Sequence, residues 1–190
     1  ISAGTFQGSL GASVTMPAGS VIQVVHGRLS STLVATGSSG ASDYIVDIGL
    51  SASITPKFST SNILINVNLY VGADQTSASG YQQSYFIYKN GSELDEVNGD
   101  EEGGRQGVAG GINMYDNGGA SQTQYQIARL GGTHMDYAVG STSAQTYSVR
   151  TRSYTSGPTI YINRSQSFLS SGTNYDHVPQ STITLTEIAA

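Results

Sequence analysis

In the stretch Asn62–Val71, NILINVNLYV, residues Ile63, Ile65, Val67, Leu69 and Val71 share one face of an extended chain, while Asn66, Asn68 and Tyr70 share the other. Side chains alternate across a strand and recur every 3.6 residues on a helix, so this spacing is that of a half-buried strand. No window of the sequence sustains apolar residues at the helical spacing.

The same signal extends in both directions. Upstream, Val21–Leu29 and Tyr44–Ile54 read as strands, the second closing at Thr55-Pro56. Downstream, Gln83–Lys89 (QSYFIYK) is aromatic and β-branched, and Asn90-Gly91 follows at once. That dipeptide is a strong hairpin signal, because both residues tolerate positive φ. Gly111–Tyr115, Thr123–Leu130, Thr146–Tyr154, Thr159–Asn163 and Thr182–Ile188 complete the set, and Gly131–Asp136 reads as a loop between strands. Residues 1–19 are small, polar and Gly-rich and read as a linker-like arm before a domain over 20–190. The expected fold is all-β: a jelly-roll-like antiparallel β-sandwich of about nine or ten strands. Uneven strand lengths disfavour a barrel, and the lack of an exact repeat disfavours a propeller or solenoid.

Composition narrows the function. Charged residues make up 11% of the 190, Gly numbers 24, Tyr 12, Trp and Cys none. Few titratable groups remain for acid–base chemistry, and without Cys there are no disulfides, thiolate metal sites or cysteine nucleophiles. Oligomerisation is then the expected source of robustness. A net charge of −5 with eight Lys and Arg in all argues against sequence-independent nucleic-acid binding, which replaces counterions with cationic side chains. No apolar run approaches the length of a membrane helix, so no membrane insertion is expected. The chain opens on Ile1, which leads to the expectation that it is a piece of a longer protein.

Candidate chemistry is sparse. His26, His134 and His177 lack the spacing that gives two imidazoles to one metal, and no Gly-x-Ser-x-Gly stretch leads into a helix. No catalytic residue, metal site or cofactor is assigned. Six acids crowd into Glu93–Glu102: Glu93, Asp95, Glu96, Asp100, Glu101 and Glu102. The segment does not follow the EF-hand calcium pattern, and a solvated hairpin end that guards a strand edge is the favoured reading. Arg150 and Arg152 share one face of their strand, where neighbouring acids are preferred partners and a sugar carboxylate is the alternative. Tyr-rich stretches, including Tyr81, Tyr85, Tyr88, Tyr125, Tyr137 and Tyr161, suit either recognition or strands. Receptor contact, if any, is expected at the loops near 93–105 and 115–122, the latter with Tyr115, Asp116 and Asn117, because loops on rigid scaffolds carry recognition.

Seven segments in order resemble a β-sandwich domain of tail-fibre and other virion structural proteins of tailed phages of marine and cyanobacterial type. They are Pro17–Val25, Tyr44–Pro56, Ser61–Gly72, Ile87–Glu93, Tyr147–Arg152, Thr159–Ser165 and Pro179–Ile188. The region 93–140 departs from that pattern and carries the acidic insertion. The resemblance implies a non-enzymatic domain exposed on the virion, assembled as a homotrimer beside other virion proteins. Host adhesion to a surface glycan or protein is the expected added role. A capsid decoration or head-fibre protein and a free carbohydrate-binding module are the alternatives, and a glycan depolymerase ranks last.

Overall fold

The computed structural model describes residues 16–36, 44–72, 82–114, 123–153, 159–168 and 177–190. Among them run eleven strands: β1 (Val21–Leu29), β2 (Leu33–Thr36), β3 (Tyr44–Ile54), β4 (Asn62–Gly72), β5 (Gln82–Lys89), β6 (Ser92–Glu93), β7 (Gly110–Asn113), β8 (Ile127–Asp136), β9 (Gln145–Ser153), β10 (Thr159–Ile162) and β11 (Ser181–Ile188). Helical structure among these residues is confined to the 3-10 turns Asp95–Val97 and Thr123–Tyr125.

Every strand pairing is antiparallel. In the first sheet β8, β4, β11 and β1 lie side by side; β10 takes the end of β4 that β11 leaves open, and β2 pairs with β10. In the second, β3, β9 and β5 are followed by β7 and β6, which share the far edge of β5. With the short β2, β6 and β10 set aside, the orders are β8-β4-β11-β1 and β3-β9-β5-β7. The chain then changes sheet at every connection except β5 to β7. This is the two-sheet jelly roll.

The alternation that defines the strands also builds the core. Ile63, Ile65, Val67, Leu69 and Val71 of β4 meet Ile183 and Leu185 of β11, Leu50 and Ile54 of β3, Ile87 of β5, and Tyr147 and Val149 of β9. Each fully buried aliphatic side chain contributes about 1.5–3 kcal/mol of transfer free energy. A charge at Ile65, which is 0% exposed, would break this layer.

The junction between β10 and β11 is closed by a buried polar plug. Asn163 has φ 57° and is 0% exposed. Its Nδ2 donates to the carbonyls of Leu29 (2.8 Å) and Ser31 (2.9 Å), and its Oδ1 accepts from Ser181 Oγ (2.6 Å). Its amide bonds the Tyr70 carbonyl at 3.0 Å, while Tyr70 donates its own amide to Ser181 Oγ at 3.0 Å. These bonds satisfy backbone groups that the gap between strands leaves without ladder partners.

The architecture agrees with the expectation from periodicity, and the count rises from nine or ten to eleven because β2 and β6 are too short to show alternation. One segment differs in kind. Gly131–Asp136 is the second half of β8, and Thr123–Tyr125 is a turn before the strand begins. The two glycines are where backbone and side chains pass closest: a Cβ on Gly131 would strike the Val67 carbonyl, and one on Gly132 would crowd the Tyr85 hydroxyl. The hairpin at Asn90-Gly91 forms as read, with φ of 52° and 88°. Of the N-terminal arm, residues 1–15 lie outside the described residues; Gly19 and Ser20 are already hydrogen-bonded to Ala189.

Candidate functional site

The acidic segment starts as the short strand after that hairpin. Glu93 is half-buried, its Oε1 accepting from Asn98 Nδ2 (2.8 Å) and its Oε2 from the Tyr88 hydroxyl (3.4 Å). Asp95 and Glu96 stand exposed on the 3-10 turn, and Asp100, Glu101 and Glu102 are exposed beyond it. A second tight turn follows, in which Glu102 and Arg105 exchange backbone bonds around Gly103 (φ 58°) and Gly104 (φ 77°). The segment is thus solvated, but it lies between two tight turns and is not itself a hairpin end. Among the described residues no group of three or more His, Asp or Glu side chains is placed to hold a metal ion. Tyr115, Asp116 and Asn117 lie outside the described residues.

The histidines separate. His26 and His177 are exposed, with His26 Nδ1 3.0 Å from Thr184 Oγ1. His134 faces inward from β8, its Nε2 2.7 Å from the Tyr85 hydroxyl and the two rings edge to face. Burial draws the imidazole below its ordinary value, against a smaller opposing effect from a hydrogen bond to the Val97 backbone. Burial also raises the Tyr85 hydroxyl well above its ordinary value, so the phenol stays protonated beside Nε2.

Two buried carboxylates, neither singled out by the sequence reading, lie on the same end. Asp136, 1% exposed, is 2.7 Å from Lys89 Nζ and accepts from the Tyr147 hydroxyl. Burial first, and then the neighbouring Asp136, raises the Tyr147 hydroxyl above its range and lifts the Glu96 carboxyl. Glu187, 0% exposed, accepts from Lys57 N (2.7 Å), Phe58 N (3.3 Å), Ser61 Oγ (2.8 Å) and Gln23 Nε2 (2.6 Å). Strand parity was the available signal: Ile183, Leu185 and Glu187 share a face, as do Leu130 and Asp136. These acids brace the sandwich; protonated phenols and hydrogen-bonded carboxylates are not poised nucleophiles.

The outer faces of the two sheets differ. On the second, Arg150 and Arg152 share a face as read. Arg150 meets the expected acid, its Nε 3.8 Å from Asp47 Oδ2, and its guanidinium lies 3.9 Å over the Tyr88 ring. Arg152, 6% exposed, pairs with Ser84 and lines a groove of about 730 Å³. Gln82 and Ser84 of β5, Gly111 and Asn113 of β7, and Gly104–Gln106 of the neighbouring loop line it too, with the apolar Val108 and Ile112 among them. On the first sheet, register builds three rows across the outer face: Val24–Thr186–Leu64–Met135, His26–Thr184–Asn66–Thr133 and Arg28–Thr182–Asn68–Gly131. Asn66 Nδ2 donates to Thr133 Oγ1 (2.8 Å), Asn68 Nδ2 to Asn66 Oδ1 (3.2 Å), and Arg129 to Asn68 Oδ1. Of the tyrosines, Tyr85 and Tyr88 are buried, Tyr161 is half-buried, and Tyr125 and Tyr137 are exposed; Tyr81 lies outside the described residues.

No protein-family model matches the chain, and no curated protein matches it in sequence.

Proposed function

We propose that the chain is a non-enzymatic virion structural protein of a bacteriophage, a tail-fibre or fibre-knob domain that forms a homotrimer and contributes to host adhesion. The observation that carries the assembly half is the outer face of the first sheet. Its three rows hold one permanently charged side chain, Arg28, and one imidazole, His26, among mostly Thr, Asn and aliphatic residues, while Arg129 beside them is tied to Asn68. Residues of a face that lies along a three-fold axis come close to their own copies, where like charges repel. Thr hydroxyls and Asn carboxamides both donate and accept, so they pair with their own kind. Val21 and Val24, each 58% exposed, add apolar area on the edge strand β1. The adhesive half is supported by the contrast with the second sheet, whose margin carries the acidic segment and the groove.

Light scattering on the purified chain near neutral pH, with EDTA present, tests the assembly. A mass of three chains is expected, and a stable monomer would overturn it in favour of a lone binding module. Thr184→Arg places a cation in the middle row and is expected to yield a folded monomer.

A further inference from the structure

We infer that the groove beside Arg105 and Arg152 binds an oxyanion-bearing oligosaccharide, a glycan with a carboxylate or sulfate group. This rests on the adhesive half of the proposed function and names the ligand class. The floor of the groove is the row Arg152–Ser84–Gly111, set by strand register. Gly111 has no side chain, and a Cβ there would only come into ordinary contact with Gln83 and Val108, at 3.6 and 3.8 Å, so no side chain stands up from this part of the floor. Beside it Ser84 is 3% exposed, and its Oγ lies buried with no hydrogen-bond partner among the described residues. A buried hydroxyl without a partner is destabilising, and a ligand hydroxyl or oxyanion that reaches Ser84 from the groove would remove that cost.

The polar wall favours an anion on an otherwise neutral polyol. Arg105 at the rim and Arg152 on the floor are both guanidinium groups, and among the described residues no Asp or Glu lines the groove. Guanidinium presents a planar fork that matches carboxylate and sulfate oxygens. Gln82, Asn113 and Ser84 offer donors and acceptors of the kind that sugar hydroxyls pair with. The volume, about 730 Å³, lies within the range of about 300–1,000 Å³ usual for small-ligand sites. A polyanion such as nucleic acid fits poorly, since the neighbouring segment carries Asp100, Glu101 and Glu102.

Calorimetric titration of the purified chain with three tetrasaccharide probes tests the site: a glucan bearing a single uronate, a glucan bearing a single sulfate and an unmodified glucan. Binding of one or both acidic probes, with none of the neutral one, is expected, and which acidic probe binds separates carboxylate from sulfate. Arg105→Ala, in an exposed turn, should weaken binding about tenfold. Arg129→Ala, on the opposite sheet, should leave it unchanged. Equal binding of the neutral probe, no binding of any probe, or equal loss in both variants would overturn the inference. A trimer that binds none of the probes defeats the groove and leaves the fibre assembly standing. A monomer that binds an acidic probe does the reverse.

Discussion

Ile63 has a buried carboxylate on either side of it, Glu187 across the ladder to β11 and Asp136 across the ladder to β8. The two lie on one row of one sheet, both facing inward, and the fold stabilises them differently. Glu187 has no cation within ion-pair distance among the described residues. Instead it accepts from two backbone amides and a hydroxyl of the β3–β4 connection, and from Gln23 on β1. Asp136 has a cation and a phenol, Lys89 and Tyr147, both reaching over from the second sheet. A buried charge needs compensation several times the strength of an ordinary hydrogen bond. Neutral dipoles supply it where a turn already points them inward; elsewhere a formal charge is required. Glu187 therefore fastens a turn to its own sheet, and Asp136 fastens one sheet to the other.

The comparison breaks most sharply at Glu187. Glu187→Ala strands four donors at a site that is 0% exposed, and should cost about 4 kcal/mol in urea denaturation. Glu187→Gln keeps an acceptor for the turn and should cost about half of that. Lys89→Met leaves Asp136 with Tyr147 alone; because the lysine side chain is 21% exposed, a loss of about 2 kcal/mol is expected. The double variant Lys89→Met, Asp136→Leu should recover part of that loss, since an apolar pair replaces a charge without a counter-ion. A double variant no better than the single one would mean that Tyr147 and not the ion pair carries the clamp.

Smaller effects follow from proton linkage. The folded imidazole of His134 titrates below its unfolded value of about 6.5, so the unfolded chain takes up the proton first as pH falls. The associated stability is present above about pH 6.5 and is lost as pH falls toward the lowered folded value. Melting curves of His134→Gln should show a flatter decline across that window than wild type. Glu96 has the opposite sign: its carboxyl is raised, by burial and then by Asp136, so stability falls as pH rises through that raised value. Glu96→Gln should stabilise the protein near neutral pH by a few tenths of a kcal/mol, the exposed position being screened by solvent.

Much of this was legible one strand at a time. Alternation in Asn62–Val71 identified that strand and its inward face, and Thr182–Ile188 read as a strand, but that Glu187 sits on its core-facing side came from the structure. Gly131-Gly132 was misleading because glycine signals a turn and a close approach equally, and only the Val67 carbonyl and the Tyr85 hydroxyl distinguish the two. Arg150 and Arg152 are equivalent in sequence, two residues apart on one face. Their fates separate because Asp47 and Tyr88 lie beside the first and Ser84 beside the second.

The sequence by itself determined the strand class, most strand positions, the hairpin at Asn90-Gly91 and which side chains face the core. All of these depend on a backbone period of two residues and on the φ preferences of single residues. Tertiary structure alone decided the jelly-roll order, the partners of Asp136 and Glu187, the Asn163 plug and the groove at Arg152. Each of these joins residues far apart in the chain, and a pairing of that kind depends on which strands the whole core brings side by side.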